Sequence, residues 1–499
     1  MHWNTTAPLD RNHPDPERVF AAGLKLHHLA NTAYPIAHLT TMRPYHVPRS
    51  QVQQVGIEAW QDIDRLGLYV HVPFCEKRCG YCEYTVLEPS ADQALYFRLL
   101  RREFELYRQA LDTQAKTLVG FDIGGGTPSF ASLGELESVV EAARRGFNLP
   151  ESVTISIETT PKIAAREPEK MRGLYSMGMR RISMGVQTVS PRLLQAVGRT
   201  ATSLDYDVQA AENIRKAGFE KFNVDVMYGF AGQPDAAVEA TLRHVIALGP
   251  EYVTLYRMRY KGTSIAFQAQ NVSREQVTGQ YALAKRLLQE AGYNATPGKN
   301  TFSRIPGDMG TSDYLTERVV HGTPYLGLGL GAQSLSQHTL SYNSGAANKR
   351  LEHYQRQVDA GQLPLQDLYH LSLEAAMGKM ISVSFYFGEV NSQSFERKFG
   401  VSLQEAFPEE MAFVLEKGLM EVKEGALRLT EAGVRQYNGV IALFYAGAVK
   451  EHLIGLGEKR TLTQRREKAE RRRFLGGSNA AVPLSGRLLQ PGKGIQASQ

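Results

Sequence analysis

The chain has 499 residues, 42% apolar and 22% charged. That is the composition of ordinary globular protein, and it excludes a collagen-like repeat, a wholly disordered chain and a disulfide scaffold. No apolar run approaches the roughly 18 residues a membrane span needs, and the polar, acidic start lacks the charged-then-apolar layout of a secretory signal. Lys and Arg total 57 against 51 Asp and Glu, a net +6, yet residues 459–499 alone hold ten Lys/Arg and two Glu. The other 458 residues therefore carry a slight negative surplus. The basic character belongs to a tail, which argues against a nucleic-acid-binding body.

Residues 1–60 read as an N-terminal extension, with Pro-rich pieces around the short helical candidate VFAAGLKLHHLAN. From residue 66 short apolar strands alternate with amphipathic stretches, the pattern of βαβ units and a parallel sheet. Strands are expected at 67–72, 118–123, 153–158, 180–186, 222–227 and 252–257, with helices at 91–111, 132–145, 204–217 and 235–248. Six such units predict a barrel or part of one, spanning residues 61–330. Parallel strands covered on both faces are usually continuous apolar runs, but these alternate. Tyr69 and His71, then Thr154, Ser156 and Glu158, then Ser183, Gly185 and Gln187, then Asn223 and Asp225 each form one polar face. Either the interior is wide and holds solvent or a polar ligand, or the sheet is open with one wet face. Residues 331–365 read as a connection. A mostly helical domain over 366–450 follows, with a helix, hairpin and helix like a small winged-helix module. Residues 451–499 read as a basic tail with a disordered end.

The chemistry concentrates at the carboxyl ends of those strands. All three cysteines lie in HVPFCEKRCGYCEY, as Cys75, Cys79 and Cys82, directly after the first strand. An odd number with no partner elsewhere excludes an ordinary disulfide set, and free thiols predict a cytoplasmic protein. Three thiolates on one loop fit a zinc site closed by His71, or a [4Fe–4S] cluster with one iron left open, since such clusters usually take four thiolates. FDIGGGTPS follows the second strand. Its glycines allow close backbone approach to a ligand, though a structural tight turn uses the same residues. Glu158, Gln187, Asp225 and Tyr256 end or follow strands three to six. The carboxyl rim is where barrel enzymes place their active sites.

Cys75-x3-Cys79-x2-Cys82, with Tyr81 before the third cysteine, resembles the radical S-adenosylmethionine (SAM) superfamily. LYVHVPFC, GGGTPS, SIETTP, RISMGVQTVSPRLLQAVGR, NVDVMYGFAGQ, LGLGLGAQS and LRLTEAG resemble, in order over about 66–445, its oxygen-independent coproporphyrinogen III oxidase family. The resemblance implies a partial (β/α)6 barrel and a HemN-like C-terminal domain. It implies that Cys75, Cys79 and Cys82 ligate a [4Fe–4S] cluster whose open iron chelates S-adenosyl-L-methionine, cleaved to a 5′-deoxyadenosyl radical. It further implies that Tyr69, Gly125, Gly126, Thr127, Glu158, Gln187, Arg199 and Asp225 hold SAM, with Tyr81 beside the adenine. An electron donor such as flavodoxin or ferredoxin goes with that chemistry.

Three positions depart from the family. Tyr84 stands where the oxidase has a fourth cysteine, Arg199 is followed by Thr200 and Ala201 where a His is common, and Gln333 replaces the His of Gly-Ala-His-Ser. Machinery for the cofactors is kept while substrate-facing details change. The expected substrate is a porphyrin or other tetrapyrrole. The alternatives are a C-methyltransferase or cyclopropane-forming enzyme acting on an aromatic or peptide natural product, and a haem carrier. A nucleic-acid substrate is the least favoured.

Overall fold

The computed structural model describes residues 14–87, 91–200 and 202–460. The first 13 residues and most of the expected basic tail, 461–499, lie outside them. Six strands, β1 (Arg65–Val72), β2 (Thr117–Gly125), β3 (Ile155–Thr159), β4 (Met179–Gln187), β5 (Lys221–Tyr228) and β6 (Tyr252–Arg257), pair in parallel in chain order. β3 begins two residues later than the sequence suggests, because Thr154 N–H donates to the Asp313 carboxylate at 2.7 Å and not to a neighbouring strand.

Three of the four long crossover helices start at a side-chain cap: Asp92, Ser132 and Ser203 accept from the third residue on, before helices Gln93–Ala110, Leu133–Gly146 and Leu204–Lys216, whereas helix Asp235–Leu248 follows Pro234 without one. Capping of this kind contributes about 1 kcal/mol per helix. On the strands' outer face Val70, Val72, Ile123, Ile157, Met184 and Val224 are fully buried in one continuous core. Burying each such side chain stabilises by about 1.5–3 kcal/mol.

Five more strands extend the sheet. β7 (Thr301–Ser303) runs antiparallel beside β6, and β8 (Tyr325–Leu328) runs parallel beside β1. β9 (Gln333–Leu335), β10 (Thr339–Asn343) and β11 (Leu365–His370) continue from β8. The stretch 331–365, expected as a connection, thus supplies two strands, part of a third and the helix Leu351–Asp359. Its strands are only three to six residues long and carry polar residues on both faces, so no period marks them. A buried carboxylate holds this extension. Glu103 of helix Gln93–Ala110 accepts from Gly329 N, Asn343 Nδ2 and the Tyr354 hydroxyl at 2.8, 2.7 and 2.6 Å.

The polar inner face is not an empty lumen. Arg181 bonds Ser156 and the Gly310 carbonyl, Ser312 donates to Asp122, and Tyr314 stacks on Tyr69. Residues 310–314 therefore fill the barrel behind β1 to β4 and confine open space to the carboxyl rim. A three-stranded sheet, ordered β12 (Glu389–Asn391), β14 (Ala426–Leu429) and β13 (Met420–Lys423), packs with helices Ser392–Phe399 and Pro408–Glu416 as a winged-helix-like module. The N-terminal extension does not stand apart from it. Helix Pro16–Lys25 sets Phe20 against Phe413, and Asn438 donates to the carbonyls of His27 and Ala30.

Candidate functional site

β1 ends because Pro73 has no N–H for the ladder. The loop that follows is closed where Leu87 N–H donates to the Pro73 carbonyl at 2.8 Å, and it carries all three thiols. Cys82 N–H bonds the Cys79 carbonyl at 3.1 Å in a tight turn, and Gly80 is fixed from outside by Val197 and Ser264. The glycine loop at the end of β2 runs alongside. Gly126 N–H bonds the Val72 carbonyl at 2.9 Å, Thr127 N–H bonds the Phe74 carbonyl at 2.6 Å, and the Thr127 hydroxyl meets Cys75 Sγ at 3.4 Å. Gly125 has φ +128°, open to glycine and strained for other residues. A Cβ on Gly126 would lie 2.5 Å from the Phe74 carbonyl oxygen and 3.0 Å from Cys75 Sγ.

The three thiols open on a cavity of about 440 Å³ lined also by Tyr81, Gly125, Gly126, Thr127, Glu158, Gln187, Arg199 and Asp225. The structure thus brings together every anticipated site residue but one. Tyr69 does not line the cavity, because its ring is held on Tyr314 and its hydroxyl meets His71 Nδ1 at 3.2 Å. Nor is His71 placed to close a zinc site with the thiols. The other ring nitrogen of His71 is bonded to the Thr85 carbonyl at 2.8 Å, and burial pulls its pKa down to about 4. Among the described residues no three His, Cys, Asp or Glu side chains converge as they would around a single ion.

The electrostatics favour a cationic ligand. Glu158 is reachable through the cavity mouth but enclosed by protein, and desolvation, then Asp225 and Asp122, push its carboxyl up to about 8. Burial raises Asp225 to about 6 against the hydrogen bond from Asn223 at 2.7 Å. Burial likewise pushes the Cys75 thiol up to about 11. Crowded carboxylates and thiols of this kind are relieved by positive charge. Gln187 sits past a register shift in β4 at φ +69°, and its buried Oε1 has no hydrogen-bond partner. A buried acceptor left open in a cavity calls for a donor from a ligand.

Tyr256, from the end of β6, lines the same cavity, as do Tyr84, Arg257 and Arg259. Sequence reasoning noted Tyr84 as a departure and missed both arginines. Arg257 ends β6 and Arg259 lies just beyond it in YRMRYKG, where nothing in their spacing separates them from surface charge.

Residues 69–245 match the model of the radical SAM superfamily and residues 387–435 that of the HemN C-terminal domain. Among curated proteins the chain is 26% identical to the heme chaperone HemW of Bacillus subtilis, over 75% of this chain and 98% of that one. It is 23% identical to the oxygen-independent coproporphyrinogen III oxidase of Helicobacter pylori, over 74% and 83%. Among solved structures it shares the fold of coproporphyrinogen III oxidase (HemN) from Escherichia coli, with a TM-score of 0.68 and 23% identity over 83% of this chain and 96% of that one. No helix among the described residues is long and apolar enough to cross a membrane.

Proposed function

We propose that this chain, a radical SAM domain followed by a HemN C-terminal domain, is a radical SAM enzyme acting on a tetrapyrrole. The observation that supports it most is the trio of free thiols on the rim of a cavity whose far wall holds Glu158, Asp225 and the open Gln187 acceptor. The radical SAM family uses a [4Fe–4S] cluster and SAM, and the residues present fit both. Cys75, Cys79 and Cys82 would hold the cluster by three of its four irons. When bound, the pair supplies one-electron cleavage of a sulfonium and a carbon radical that removes hydrogen from substrate.

The chain's own residues do the rest. Gly125 and Gly126 let the loop lie tight against β1 and the cysteine loop, where a Cβ would meet His71 or the Phe74 carbonyl and Cys75 Sγ. Glu158 would take the SAM ammonium, whose charge offsets its crowding by Asp225, and Asp225 would take the ribose hydroxyls. Tyr81, fixed by Arg199 at 2.9 Å, would flank the adenine. The filled barrel behind Tyr69 and Arg181 excludes water from that side. A flavodoxin or ferredoxin would deliver the electron, and the free thiols suit a cytoplasmic location.

A haem carrier is the second reading. It is favoured by the near full-length likeness to a protein named as a heme chaperone. Anaerobic incubation of the reconstituted protein with SAM, dithionite and candidate tetrapyrroles, followed by mass spectrometry, separates the two. Reductant-dependent 5′-deoxyadenosine with a mass change in the tetrapyrrole supports the enzyme. Stoichiometric haem binding without SAM consumption overturns it for the carrier. Accumulating S-adenosylhomocysteine would instead mark a C-methyltransferase or cyclopropane-forming enzyme.

A further inference from the structure

A second cavity of about 480 Å³ adjoins the first and shares Tyr84, Tyr256, Arg257 and Arg259 as a common wall. Three distant parts of the chain close it: His27 and His28 of the N-terminal extension, helix Arg274–Glu290, and Tyr437 and Asn438 near the carboxyl end. Its lining holds eight aromatic rings and six Lys or Arg side chains against one acid, Glu431.

The cations are not alike. Lys285 is paired with Glu431, Arg259 with Glu83, and Arg286 with Glu290 at 2.9 Å. Arg257 has two neutral acceptors: Asn438 Oδ1 at 3.1 Å and His27 Nδ1. Accepting at Nδ1 requires the uncharged His27 ring. No carboxylate lies within ion-pair distance of Arg257 among the described residues, and burial lowers its pKa. Enclosing a guanidinium without a counter-charge is costly, and the cost is recovered when an anion completes it. The surrounding rings offer faces on which a flat ligand stacks.

We propose that this second cavity seats a flat aromatic ligand carrying a carboxylate, with Arg257 taking the carboxylate and His27 acting as the residue that positions Arg257. Because Arg257 lines both cavities, a ligand anchored there extends along the wall facing the thiols. The assignment rests on the radical SAM reading for the purpose of the seat, whereas the anion preference rests on Arg257 itself.

The test measures anaerobic equilibrium binding to the full chain by absorbance and fluorescence. The probes are coproporphyrin III, its tetramethyl ester and the small acid 1-naphthoate. Expected is a loss of about tenfold or more in acid affinity for R257Q, partly restored in R257K, with ester affinity unchanged and bound iron equal to wild type. The same loss seen with 1-naphthoate alone supports the seat and makes its natural occupant a smaller aromatic acid. Equal acid binding by R257Q and wild type overturns the proposal. So does equal loss of acid and ester, or wild-type protein that binds none of the probes. Arg257-dependent binding by a protein that never takes up iron would sink the enzyme reading and leave the seat standing. Normal iron and SAM cleavage without such binding would do the reverse.

Discussion

The guanidinium of Arg199 donates to the phenol of Tyr81 at 2.9 Å and, through its other nitrogen, to the carbonyl of Gly185. One side chain thereby fastens the cysteine loop to the end of β4, and it also reaches the Cys79 thiol. Charge-assisted hydrogen bonds of this kind contribute about 1.5–3 kcal/mol. Arg199→Ala is expected to weaken SAM binding about tenfold or more and to lower retained iron, with the secondary structure intact. Iron assay and SAM titration check it. Tyr81→Phe, which keeps the ring, should lose less.

Gly126 leaves no room for a methyl group between the Phe74 carbonyl and Cys75 Sγ. Backbone cannot yield as a flexible side chain does, so Gly126→Ala must displace the loop. The expected cost is about 1–3 kcal/mol of stability, together with reduced cluster retention. Gly134→Ala, at a position open to solvent with nothing near its Cβ, serves as the control and should leave iron uptake unchanged.

Glu158 and Asp225 were visible in the sequence for a simple reason. A polar residue on every second position of a strand shows its face, and a strand end shows its rim. The three thiols and the glycine triplet were visible because short loops keep their chemistry within a few residues. The second cavity was not, since Arg257, His27 and Asn438 come from segments up to 411 residues apart. Neither was the plug formed by 310–314, which has no period. Tyr69 lies on the polar face the alternation marks, but alternation does not show that Tyr314 stacks on its ring.

Glu158→Gln keeps the shape and removes the charge that would pair with the SAM ammonium. SAM affinity should fall about tenfold while iron content stays at the wild-type level, read by equilibrium dialysis and iron assay. Undiminished affinity would remove Glu158 from the site.

Burial pushes Glu103 up to about 7, against the three donors that hold it. Its folded pKa lies above the ordinary carboxylate value, so the folded state binds the extra proton between about pH 4.5 and 7. Stability from this group is therefore present below that window and lost as pH rises through it, at up to about 1.4 kcal/mol per pH unit. Glu103→Gln should flatten the pH 5 to 7 part of the stability profile in denaturant titrations. An unchanged slope would place the proton elsewhere.

On the proposed reading three thiols hold a cluster with one iron left for SAM. Mössbauer spectroscopy of anaerobically 57Fe-reconstituted protein, with and without SAM, tests it most directly. Expected are about four irons and four sulfides per chain, one iron site whose parameters shift when SAM is added, and loss of the cluster in Cys79→Ala without loss of helix content. Iron-free protein, or a full cluster whose four irons ignore SAM, would contradict it.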